Sequence, residues 1–128
     1  MAEYQPGVCN IGRAERRKRY GLGVAGFVGT VVLVGVLAWL ELPDAAYLLV
    51  VVPLLAGFEG YYQGRVGFCA GFAQRGIYDV SASGAERHEV ESADAREADL
   101  KRARQIHVFA ILSAAAVALV VYVVVAAV

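Results

Sequence analysis

Three uninterrupted apolar runs constrain this chain more than any other feature. Tyr20 to Leu40 contains no charge, Ala45 to Gly64 is interrupted only by Glu59 and Gln63, and Ile106 to Val128 is polar only at His107, Ser113 and Tyr122. A helix rises about 1.5 Å per residue, so about 20 apolar residues cross a hydrocarbon core roughly 30 Å thick. Each run meets that length and is too apolar to be a helix buried in a soluble domain. The first run lacks a small-residue cleavage site and is followed at once by a second, unlike a secretory signal. Apolar residues make up 59% of the chain and the mean hydropathy is +0.54, which excludes a disordered chain, a disulfide scaffold and an ordinary soluble enzyme domain. The expected fold class is all-α and integral to a membrane, with three transmembrane helices: an antiparallel hairpin plus a C-terminal span.

The segments between the runs set the topology. Only Glu41, Leu42, Pro43 and Asp44 separate the first two runs, which forces an antiparallel hairpin, with Asp44 expected to cap the second helix. Arg13, Arg16, Arg17, Lys18 and Arg19 precede the first run, and the other seven basic residues lie between the second and third. All 12 basic residues therefore fall on one side, which the positive-inside rule assigns to the cytoplasm, leaving the C-terminus outside a plasma membrane. Trp39 and Tyr47 mark the outer boundary, and Tyr20, Tyr61 and Tyr62 the inner one. The 12 acidic residues balance the 12 basic ones, so no field of one sign points to nucleic acid; membrane lipid is the expected partner.

This gives four segments: a basic interfacial stretch (1–19), a hairpin with a cytoplasmic extension (20–80), a polar cytoplasmic helix (81–105) and the third span (106–128). Ser83 and Glu86 read as a capping box opening the polar helix. Its acids lead (Glu86, Glu89, Glu91, Asp94) and its bases follow (Lys101, Arg102, Arg104), as a helix dipole prefers. Such a helix is either a solvated spacer or a docking surface.

Glycines form two seams. Gly57, Gly60, Gly64, Gly67 and Gly71 fall on one stripe of a helix extended past the second run, and Gly23, Gly26 and Gly29 recur three apart in the first. In lipid, small residues let helix backbones approach closely, so the seams suit hairpin packing, a homodimer or a narrow path. Pro53 is expected to kink the second span.

Few residues could carry chemistry. Cys9 and Cys69 both fall on the cytoplasmic side, where a structural disulfide is disfavoured and nearby cations favour thiolate. Both are candidate reactive thiols, with Arg16, Arg19, Arg65 and Arg75 placed to hold an anion. Glu59 is the one acid inside a span, and an intramembrane charge needs a proton, a partner such as Gln63 or a cation from another helix. His107 reads as a boundary histidine, and His88 lies 19 residues away. No phosphate loop, Ser-His-Asp set or Cys-x-x-Cys is present, so no catalytic residue, metal or cofactor is assigned.

Asn10-Ile11-Gly12-Arg13-Ala14-Glu15-Arg16-Arg17-Lys18-Arg19 matches an N-x-G-x-x-(D/E)-R-x-x-R pattern before a glycine-rich span. Gly67-Phe68-Cys69-Ala70-Gly71-Phe72, then Gly76-Ile77, is similar to a G-x-C-P-x-(Y/F)…G-(I/V) ending, with alanine in place of the proline. Together, over about residues 9–80, they resemble the YgaP-like transmembrane domain family of small membrane hairpins, found alone or fused to a rhodanese sulfurtransferase domain. The resemblance implies a dimerising hairpin linked to sulfur metabolism, and it singles out Asn10, Gly12, Glu15, Arg16, Arg19, Cys69, Phe72 and Gly76. Glu15 and Arg19 form an i, i+4 pair, and Asn10 is expected to cap the short helix carrying it. With no rhodanese segment here, the sulfur donor would be a soluble sulfurtransferase.

Three functions follow as expectations. The first is a non-catalytic membrane module for persulfide or thiol handling at the cytoplasmic face. The second is an accessory or scaffolding subunit of a membrane complex, packing through its glycine seams. The third is a small transporter using Glu59.

Overall fold

A computed structural model describes residues 3–128. The chain forms α1 (Arg13–Trp39), a 3-10 turn (Asp44–Val50), α2 (Val51–Val66), α3 (Ala70–Arg75), β1 (Ile77–Tyr78), β2 (His88–Glu89) and α4 (Ala93–Ala127). Three segments are long and apolar enough to cross a membrane: Arg13–Trp39, Asp44–Val66 and Ala93–Ala127. The all-α, three-span class expected from the apolar runs is the one observed. Its β structure, among the described residues, is the two-residue antiparallel pair β1–β2 and two isolated bridges.

The hairpin closes through glycine. A Cβ on Gly26 would strike the Gly57 backbone nitrogen and lie 2.7 Å from the Pro53 carbonyl oxygen. One on Gly60 would strike Gly23 and Arg19 backbone atoms, so these turns of α1 and α2 touch main chain to main chain. The seam glycines Gly23, Gly26, Gly57 and Gly60 are thus consumed inside the chain, and Gly64 packs under the Tyr20 ring. Helix α4 lies on the same hairpin by another small-residue stripe, burying Ala103, Ile106, Ala110, Ala114 and Ala118 at helical spacing. Ala114 and Ala118 join Leu37, Tyr47, Val50 and Leu54 in one core cluster. Tyr47 is therefore a core residue rather than a boundary one, while Trp39 is exposed. Leucines and valines such as Val31, Val52 and Val120 point outward, an inside-out distribution suited to a hydrocarbon solvent.

Several local expectations are corrected. The second span starts as a 3-10 turn capped by Pro43, and Asp44 makes no side-chain cap. Pro53 sits in the first turn of α2, where its missing N–H leaves little unsatisfied, rather than kinking the interior. The glycine stripe does not continue on one helix: Gly67 takes a left-handed conformation, φ +71°, which stops α2, and Gly71 lies on the separate α3. Gly29 only reaches ordinary contact with Pro53. The basic interfacial stretch is no separate helix, because α1 starts at Arg13 and continues into the apolar run. The polar helix starts at Ala93, capped by the Ser92 hydroxyl on the Ala95 N–H. Residues 79–87 form a loop instead, with the Ser83 hydroxyl accepting the Ala85 N–H within the loop rather than capping a helix, and Gly84 at φ +72°. From Ala93, α4 does continue unbroken into the third apolar run.

Candidate functional site at the basic end

The segments before α1 and between α2 and α4 fold together at the end where all the basic residues lie. Asn10, fully buried, links them. Its side-chain amide donates to the Cys69 carbonyl (3.0 Å), and its Oδ1 accepts from the Cys69 N–H (2.6 Å). The Asn10 carbonyl accepts from the Asp79 N–H (3.0 Å), and the Gly12 N–H donates to the Asp79 carbonyl (2.9 Å). Three chain segments are thereby stitched by direct hydrogen bonds to backbone groups. Asn10 is not the expected helix cap; Gly12 holds that position with no side-chain cap. Gly12 cannot carry a side chain, since a Cβ would collide with the carbonyls of Val80 and Ser81.

Asp79, also fully buried, organises the following loop. One carboxylate oxygen accepts from the Ser81 N–H (3.1 Å) and hydroxyl (2.5 Å), and the other from the Glu86 N–H (3.1 Å). Glu15 is 1% exposed and is met by Lys18 Nζ at 2.6 Å and Arg19 Nη2 at 3.4 Å. Arg16 donates from Nε to the Gly64 carbonyl (2.9 Å) and from Nη2 to the Arg65 carbonyl (3.3 Å), so its charge caps the negative end of α2. Gly76 stops α3 at φ +69°, under the Arg96 guanidinium, and Phe72 carries the Arg87 guanidinium 5.2 Å above its ring. The residues singled out by the two sequence motifs converge on this one region, where most of them make the contacts that hold its segments together.

A second tether was not legible beforehand. Asp99 of α4 is 1% exposed and accepts from the Tyr4 hydroxyl (2.8 Å) and the Gly7 N–H (2.7 Å). Tyr4 also stacks on Tyr78 at 4.1 Å. Burial, then the bond to Asp99, pushes the Tyr4 phenol well above its ordinary range. Nothing in the sequence around Asp99 marks it out among the acids of α4, whereas Asp79-Val80-Ser81 carries the side-chain pattern of an Asx turn.

The cysteines reach the same corner in different states. Cys69 is 2% exposed and caps α3, its sulfur accepting from the Phe72 N–H at 3.4 Å beside Ile11 and Phe72. Cys9 is half-buried, donates to the Ile11 carbonyl at 3.5 Å and, with the Arg16 side chain, borders Gly67. Both are free thiols. Of the expected anion-holding residues, Arg16 is occupied by carbonyls and Arg19 by Glu15, while Arg65 and Arg75 are exposed with no carboxylate partner among the described residues.

Within the spans, Glu59 finds two partners. His107 Nδ1 lies 2.5 Å from its Oε1, and Gln63 Nε2 donates to its Oε2 at 2.8 Å. Gln63 then accepts from the Ala70 N–H at 3.2 Å, joining this chain of bonds to the basic-end region. His107 is thus an inter-helix partner and not merely a boundary residue. Tyr62 and Ser113 add a bond of 2.7 Å between the same two helices. The Glu59 carboxylate is spent on fastening α4 to α2, which is the ordinary fate of a polar group in lipid. His88 lies on the exposed β2, ring against Tyr78. Among the described residues, no three His, Cys, Asp or Glu side chains come together as a metal site. No protein-family model matches the chain, and no curated protein or solved structure is significantly similar to it.

Proposed function

We propose that the chain is a non-catalytic, three-span membrane module that handles sulfur through a thiol at its cytoplasmic face. The observation that supports this reading is that Cys9 and Cys69 belong to the same folded region, since Asn10, the neighbour of Cys9 in the chain, is bonded through its side chain to the Cys69 backbone. The roles differ from the sequence expectation, in which Cys69 is the first candidate. Cys69 is shut in and serves the fold, whereas Cys9 stands at the rim beside Arg16. In this reading Cys9 accepts sulfane sulfur from the persulfide of a soluble sulfurtransferase. The Cys9 sulfur forms the new S–S bond, the donor's S–S bond breaks, and the donor leaves as a thiol. In this reading the corner faces the cytoplasm, which the gathering of the basic residues at this end supports through the positive-inside rule.

The test is maleimide labelling of the full chain in isolated membranes, comparing wild type with Cys9→Ser and Cys69→Ser. Cys9 should label at neutral pH and Cys69 only after denaturation. After incubation with a persulfide donor, Cys9 should label through its outer sulfur, so that reductant cleaves the S–S bond and strips a label that survives reductant on the untreated thiol. If Cys9 stays unmodified by the donor, the thiol reading fails. The accessory-subunit reading is then favoured, supported by the purely structural duties of Gly12, Glu15 and Gly76. The transporter reading loses its main support, since Glu59 is occupied by His107 and Gln63.

A further inference from the structure

A cavity of about 430 Å³ opens beside the start of α1, walled by Arg13, Arg16, Arg17 and Tyr20 on the helix and by Val80 and Ala82 on the loop. The loop is held against the helix by the Gly12–Asp79 bond and by the absence of a side chain at Gly12, so the cavity is a fixed product of the fold. Its charge is unbalanced. Arg13 and Arg17 have no carboxylate partner among the described residues, and the nearest acid on the helix, Glu15, is buried and already met by Lys18 and Arg19. Arg16 contributes a third cation while spending two of its donors on carbonyls.

What continues below the cavity identifies the ligand class. Positions 13, 17, 20, 24, 28 and 31 fall on one face of α1, because 3.6 residues make a turn. Read downward, that face presents two unpaired arginines, a tyrosine, then Val24, Val28 and Val31, all exposed. Cations, an amphipathic ring and an apolar strip follow one another as phosphate, glycerol and acyl chain do in a phospholipid. A free anion would need the cations and have no use for the strip.

We infer that the cavity between the start of α1 and the loop at 80–82 binds the phosphate headgroup of an anionic phospholipid, whose acyl chain lies along Val24, Val28 and Val31. The site needs no thiol and stands whether or not Cys9 handles sulfur. Guanidinium groups suit phosphate by their paired donors, and each cation near the surface strengthens binding of an anionic lipid by about fivefold.

The test is native mass spectrometry of the full chain released from nanodiscs containing equal phosphatidylglycerol and phosphatidylcholine. Wild type should retain phosphatidylglycerol selectively. Arg13→Gln/Arg17→Gln should lose roughly twenty-five-fold in that selectivity, two steps of about fivefold. Arg104→Gln, which removes an exposed cation of α4 away from the cavity, should keep it. Ala82→Glu leaves every arginine in place and puts a carboxylate at the cavity mouth, so it should mimic the double variant even if that one folds poorly. Retention unchanged in both cavity variants, or equally reduced in Arg104→Gln, overturns the site. A free-anion ligand replaces it if inorganic phosphate alone raises the unfolding temperature of the solubilised chain as much as phosphatidylglycerol does.

Discussion

Gly26→Ala and Gly35→Ala make the same chemical change in the same helix and should move stability in opposite directions. Both positions lie inside α1, where alanine is favoured over glycine by about 1 kcal/mol in aqueous hosts. At Gly35 nothing lies within 4 Å of the new methyl, so the propensity gain stands alone. At Gly26 the methyl meets Gly57 main chain and the Pro53 carbonyl oxygen at 2.7 Å. These are backbone atoms of α2, which cannot rotate aside as a flexible side chain would. Overpacking typically costs about 1–3 kcal/mol, and two backbone obstacles place this site in the upper half of that range. After the propensity gain, Gly26→Ala should destabilise by about 1–2 kcal/mol, and should fall about 2–3 kcal/mol below Gly35→Ala. Unfolding titrations in mixed detergent micelles, followed by helical circular dichroism, would read both. A Gly26→Ala chain at least as stable as wild type would refute the main-chain contact between α1 and α2, and with it the account of the hairpin.

Asn10→Ala should cost about 1–3 kcal/mol, because it strands the buried N–H of Cys69 while the Cys69 carbonyl keeps the Ala73 N–H, and it should expose the Cys69 thiol to maleimide. A double-mutant cycle on Glu59→Gln and His107→Ala should give a coupling of up to about 1.7 kcal/mol, while Tyr62→Phe with Ser113→Ala should give about 0.6; zero coupling in both would mean α4 docks by its alanines alone. The Tyr4 phenol is raised above its ordinary 10.0, so its contribution is fully present below about pH 10, where it is protonated in both states, and is lost as pH rises through the raised value. Melting curves at stepped alkaline pH should therefore fall more steeply for wild type than for Tyr4→Phe.

How far these features are legible differs by the kind of physics involved. Span number is written in local composition: twenty apolar residues cannot do much else in water or lipid, so Tyr20–Leu40 and Ile106–Val128 read directly as helices. Helix ends are less legible, because competing local signals look alike. Ser83 with Glu86 has the spacing of a capping box, as Ser92 has a capping hydroxyl, but the three donors gathered by buried Asp79, with the Gly84 N–H on Ser81, hold 79–87 as a loop. Gly67 sits on the same arithmetic stripe as Gly57 and Gly60, yet it terminates α2 while they pack within it.

The sequence by itself determined the class of solvent, the three spans, the tight hairpin and the segregation of all 12 basic residues to one end, since each depends on composition along a short stretch. Tertiary structure decided which polar groups pair across long separations. Asn10 with Cys69, Tyr4 with Asp99 and Glu59 with His107 are brought together by the hairpin and by α4, and no local pattern encodes those distances. It also decided that Cys69 is enclosed and Cys9 is not, and that Arg13 and Arg17 are left facing an open cavity. Burial is a property of what packs against a residue, and a one-dimensional chain does not carry that information position by position.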